Sequence, residues 1–70
     1  MELNVAPTID GVFRVVVNGS PVGYVAEVGR VFVTLRGAVY NTSVEIGQSH
    51  AFEAAVRLLA RENLASRVGG

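Results

Sequence analysis

The dipeptide Asn18-Gly19 stands between two apolar alternations, with Phe13, Val15 and Val17 before it and Val22 and Tyr24 after it. Asn-Gly is the preferred pair for a two-residue type I′ hairpin turn, because both central residues must take positive φ. A turn of that kind also sets the register. It predicts Val17 opposite Ser20, Val15 opposite Val22 and Phe13 opposite Tyr24, all six on one face. Turn chemistry and hydrophobic alternation agree here, so the rest of the chain is read outward from this hairpin.

Downstream, Gly29-Arg30 suits a type II′ turn, which wants glycine first, and would set Val28 against Val31. Val28-Gly29 is the competing choice. Both place Val31, Val33 and Leu35 on the core face, because both preserve the parity of the pairing. Gly37-Ala38 offers a third turn. A fourth strand over roughly 39–46 would point Tyr40, Thr42, Val44 and Ile46 inward and Val39, Asn41, Ser43 and Glu45 outward. Gly47-Gln48 ends the sheet, and Ser49 is a good N-cap for a helix over about 50–66. Phe52, Ala55, Val56 and Leu59 have the spacing of a buried helical stripe, which Asn63 continues. Glu53 and Arg57 form a favourable i, i+4 pair. Leu58 and Leu64 flank the stripe, each placed to cover a sheet edge or to meet another chain. The expected fold is α+β: an antiparallel β-meander of three to four strands with one C-terminal helix packed on one face. Residues 1–11 read as a lead-in with Pro7 and Asp10-Gly11 as breakers, 12–66 as the single domain and 67–70 as a flexible tail.

Seventy residues without cysteine leave a small core and exclude a disulfide framework or a thiolate metal site. Association is a common source of added stability at this size. Formal net charge is zero, with six basic residues against six acidic ones. No charge excess draws the chain toward nucleic acid or membrane. The basic residues are all arginine, whose planar fork suits carboxylates, phosphates and base edges. No apolar run approaches the ~18 residues of a membrane span, and the first residues lack the character of a signal peptide. The expected location is the cytoplasm of a bacterium, or of the bacterial host if the chain is phage-encoded.

Candidate chemistry is sparse. His50 is the lone histidine and is expected on the exposed first turn of the helix. The carboxylates Glu2, Asp10, Glu27, Glu45, Glu53 and Glu62 are scattered, and no pair has the spacing of shared acid–base work. No metal-ligand cluster or phosphate loop is legible, so the expectation is a protein without catalytic activity, cofactor or small-molecule substrate. The outer face of the sheet is more informative. In the register above it carries Val12, Val16, Val25 and Phe32, with Pro21 and Gly23, and with Arg14 and Arg36 on either side of Gly23. A contiguous apolar strip on a sheet face marks an interface. Val12, Arg14, Val16, Gly23, Val25, Phe32 and Arg36 are therefore the candidate contact residues. The expected function is a small interaction module that binds a protein partner or itself, as a homo-oligomer, through that face.

Two stretches carry a resemblance to known families. Tyr24-Val25-Ala26-Glu27-Val28 and Phe52-Glu53-Ala54-Ala55-Val56 resemble the three-stranded DNA-binding domains of plant AP2 proteins and of tyrosine-integrase N-termini, over about half the chain. That resemblance implies a sheet placed in the major groove, with Arg14 and Arg36 as contacts. The Asn18-Gly19 turn, the Val22-Gly23-Tyr24 strand and the late alanine-rich helix resemble small strand-rich proteins of actinobacteria and their phages, which implies an origin rather than an activity. The terminal Gly69-Gly70 is similar to the glycine pair of ubiquitin-like sulfur carriers and implies a third possibility, activation at the C-terminus.

Overall fold

The computed structural model describes residues 2–69, and side-chain surroundings as far as residue 62. Five strands form one antiparallel sheet in sequential order: β1 (Leu3–Pro7), β2 (Val12–Val17), β3 (Ser20–Val28), β4 (Val31–Arg36) and β5 (Val44–Ser49). A short 3-10 turn, Tyr40–Thr42, links β4 to β5, and the helix α1 (Phe52–Gly69) packs on one face. The fold is the expected α+β meander with a C-terminal helix, extended by one strand. That strand is β1, in the segment expected to be a lead-in. It pairs with β2 from Leu3↔Val17 to Pro7↔Phe13. Asp10 and Gly11, at φ 38° and 76°, turn the chain between them. An Asp-Gly pair carries the same hairpin signal as Asn-Gly.

The two hairpin turns form where expected. Asn18 and Gly19 both take positive φ, at 51° and 82°. Gly29 has φ 61° while Arg30 does not turn positive, and Val28 pairs with Val31.

The register between those turns differs from the simple alternation. Val17 pairs with Ser20 and Val16 with Pro21, but Val15 pairs with Gly23. Val22 is an extra residue, a β-bulge that points with Gly23 toward the helix and packs against the core. One inserted residue moves every later side chain to the opposite face. Phe13 therefore faces Val25 rather than Tyr24. Tyr24, Val31, Val33 and Leu35, expected in the core, lie on the face away from α1, while Val25, Phe32, Thr34 and Arg36 lie toward it. Deleting Val22 leaves Val15↔Gly23 and all later pairings intact, so that variant should keep its fold, at a cost of about 1–3 kcal/mol in lost packing. Val33 and Leu35 should stay on the helix-free face, as methyl contacts measured by NMR would report. Their transfer to the helix face would contradict the bulge.

A second bulge follows at Ile46, where Thr34 pairs with Gly47 and Leu35 with Glu45. The fourth expected strand thus starts later, at Val44, and ends later, at Ser49, because Tyr40, Asn41 and Thr42 wind into the 3-10 turn. Ser49 ends β5 and is not the helix N-cap. The helix starts at Phe52, with the Ala55 N–H donating to the Ala51 carbonyl at 3.2 Å, so His50 precedes the helix rather than lying on its first turn. The helix bounds take in residues 67–69, where the tail was expected to begin. The expectations for the side chains of Asn63 and Leu64 lie outside the described residues, as does Gly70.

The core sits between the helix and the middle of the sheet. Val15, Val25, Ala55, Val56 and Leu59 form it, with Val22, Phe32, Ile46 and Phe52 packed around them. The helical stripe is the one expected. Gly23 lets the helix approach, since a Cβ there would overlap the Leu35 carbonyl oxygen and stand 2.6 Å from Leu59 Cδ2. Thr34 is fully buried, and its hydroxyl donates to the Ala55 carbonyl at 3.0 Å, which ties β4 to the helix. A buried hydroxyl requires such a partner.

Candidate interaction surface

Among the described residues, no group of three or more His, Cys, Asp or Glu side chains is placed to hold a metal ion, and His50 is exposed. No described helix is long and apolar enough to cross a membrane.

The seven candidate contact residues divide between the two faces of the sheet. Val12, Arg14 and Val16 lie on the helix-free face, as expected. Gly23, Val25, Phe32 and Arg36 do not, because the bulge at Val22 turns β3 and then β4 over. Gly23 lies beneath Leu59. Val25 is fully buried in the core. Phe32 packs edge-to-face on Phe52, with ring centroids 5.5 Å apart. Arg36 Nη1 donates to Glu62 Oε1 at 2.6 Å, in a largely exposed pair. Such pairs contribute under about 1 kcal/mol, but this one directs the guanidinium toward the helix. The two arginines expected to share a surface thus point to opposite sides of the sheet.

In place of the residues lost, the helix-free face gains an apolar set that simple alternation assigned to the core. Two rows cross the sheet. One runs Ala6, Arg14, Tyr24, Leu35, Glu45 and the next runs Val12, Ala26, Val33, Gln48, with Val28 and Val31 beyond. Val12, Val16, Val31, Val33 and Leu35 are only partly buried, and Val28 is 56% exposed. Tyr24 is covered. Its hydroxyl donates to the Ala38 carbonyl at 2.9 Å, and Tyr40 stands edge-on to its ring at 5.4 Å. The β4–β5 connection therefore folds over one end of this face. A hollow of about 230 Å³ lies beside it, lined by Thr8, Ile9, Val12, Arg14, Tyr24 and Tyr40. The sequence signal for the altered face was Gly23 itself, since a glycine inside a strand marks a bulge or a close backbone approach.

The helix side has features of its own. Leu58 is half-buried, and its Cδ1 lies 2.8 Å from where a Cβ on Gly47 would stand, so it covers β5, one of its two expected roles. At the opposite edge Leu3 and Val5 of β1 remain 42% and 36% exposed.

No family model, curated protein or solved structure matches this chain.

Proposed function

We propose that this chain is a non-enzymatic interaction module that binds a protein partner, or a second copy of itself, through the helix-free face of its sheet. The observation that carries this is the composition of that face. An antiparallel sheet with one face on a core and the other in water alternates apolar with polar residues. Here Val12, Val16, Val31, Val33 and Leu35 crowd the second face while the helix covers only the first. Contiguous apolar surface of that kind marks a docking site, and a staple-free chain of this size gains stability when it is covered. Sheet-mediated DNA binding is supported less well. Arg14 stands on this face without Arg36, and Glu45 closes the same row.

Replacing Val33, which is partly buried, by arginine tests the proposal, because a charge at the centre of a desolvated patch removes binding, and an unchanged far-UV CD spectrum would show that the variant still folds. Sedimentation at micromolar concentration should show species heavier than the 7.4 kDa monomer, or a native pull-down should capture a partner, and Val33→Arg should abolish whichever is seen. The association should change little with salt. A monomer with no captured partner sensitive to Val33→Arg would refute the proposal. A gel shift at physiological salt that Arg14→Ala removes would favour DNA instead, since phosphate contacts are steeply salt-dependent.

A further inference from the structure

The outer edge of β1 carries a regular row of backbone groups that no described residue pairs with, and the geometry points to a second copy of this chain as the strand that does. The ladder fixes which groups are free. At one end the Asn18 N–H donates to the Glu2 carbonyl, and at the other the Thr8 N–H donates to the Val12 carbonyl. Both bonds belong to the register that sets Leu3 against Val17 and Pro7 against Phe13. A residue of an antiparallel strand turns its N–H and C=O to one side, and successive residues alternate. Glu2, Asn4, Ala6 and Thr8 therefore bond to β2, while Leu3, Val5 and Pro7 direct their groups outward. All of β1 is exposed, and its pairing with β2 runs without a bulge. Edge strands are normally blunted by charges, bulges or proline. At the other edge β5 has the first two, in Glu45 and the irregularity at Ile46. β1 has no charged residue, and its proline stands only at its end.

Pro7 also selects the register. Two copies of β1 meet antiparallel about a twofold axis at Asn4, with Leu3 of each opposite Val5 of the other. Leu3 and Val5 then exchange both N–H···O=C bonds, and every free group of the two residues is used. An axis at Val5 would set Leu3 against Pro7, which has no N–H to give in return. With the axis at Asn4, Glu2 falls opposite Ala6, so no like charges meet across the seam. The side chains of Leu3 and Val5 point to the helix side, where they line a hollow with Phe52 and Val56. They are 42% and 36% exposed, and the pairing makes them cross-strand neighbours. A twofold contact closes on itself, whereas β1 against β5 would be a head-to-tail contact and would have to cross the bulge and Glu45. The product is one continuous sheet of two five-stranded halves. Its seam is small, so dimers form at millimolar rather than micromolar concentration. The seam is separate from the helix-free face and does not depend on the function proposed for that face.

Amide hydrogen exchange of the full chain at two protein concentrations tests this. The Leu3 and Val5 amides should exchange fast at micromolar concentration and at least tenfold more slowly at millimolar concentration, while Asn4 and Ala6 change less. Val5→Pro removes one outward N–H and leaves the bonds to β2, since proline is tolerated on an edge strand where the N–H faces solvent. It should raise the dimer dissociation constant at least tenfold and return the Leu3 amide to fast exchange. Ala6→Pro removes an inward N–H and should instead loosen β1 from β2 at either concentration. Val33→Arg should leave the protection of Leu3 and Val5 unchanged, which separates this seam from the helix-free face. Three results would overturn the inference: fast exchange of Leu3 and Val5 at both concentrations, protection of Leu3 that survives Val5→Pro, or protection that Val33→Arg removes. The first is read on the unaltered chain, so it holds whatever a substitution does to folding.

Discussion

Gly23→Ala should cost about 3 kcal/mol, a large share of the roughly 3.5–10 kcal/mol that a domain of this length holds at 0.05–0.15 kcal/mol per residue. The added methyl would overlap the Leu35 carbonyl oxygen and lie 2.6 Å and 3.0 Å from the two Leu59 methyls. Neither neighbour can give way. The carbonyl belongs to the β3–β4 ladder, and Leu59 is 1% exposed at the centre of the core. Overpacking of a dense interior typically costs ~1–3 kcal/mol, with more expected where backbone is struck. Leu59→Ala alone should also destabilise, by ~2–5 kcal/mol. In the double variant the methyl clash disappears while the carbonyl clash remains, so its loss should be smaller than the sum of the two. Urea denaturation of the four proteins measures this. A midpoint unmoved by Gly23→Ala would mean that the helix does not rest on β3 as described.

Phe52→Ala should be comparably severe, at about 3 kcal/mol. Phe52 opens the helix and meets two strands at once, edge-to-face with Phe13 of β2 at 5.0 Å and with Phe32 of β4 at 5.5 Å. Each such contact contributes ~0.5–1.5 kcal/mol beyond the area it buries. The ring is only partly buried, which holds the expected loss below the largest aromatic truncations. Phe52→Leu retains most of the apolar area and loses the ring geometry, so it should cost nearer 1 kcal/mol. Equal melting temperatures for the two variants would show that the three rings contribute by area alone.

The apolar surfaces on both sides of the sheet bear on how such a chain persists. Each leaves valine or leucine facing water.

Local chemistry made several elements legible. Asn18-Gly19 names its own turn because few residue pairs accept positive φ twice, and Gly29-Arg30 follows from the same logic. The stripe Phe52, Ala55, Val56 and Leu59 declares a helix and its buried side, since a 3.6-residue period depends on neighbours along the chain alone. Asp10-Gly11 carried the signal for β1 as well, although it reads equally as a simple break. The assignment of faces was of another kind. On β3 the residues Tyr24 and Ala26 point one way and Val25 the other, so both sides are apolar and alternation cannot choose between them. Tertiary packing made the choice. Leu59 needs a floor without a side chain, Gly23 provides it, and the bulge at Val22 turns Gly23 toward the helix while the Asn18-Gly19 turn keeps its register. That one inserted residue carries Phe32 and Arg36 to the helix side and leaves Val33 and Leu35 to form the candidate interface, because a strand has only two faces and a shift of one residue exchanges them.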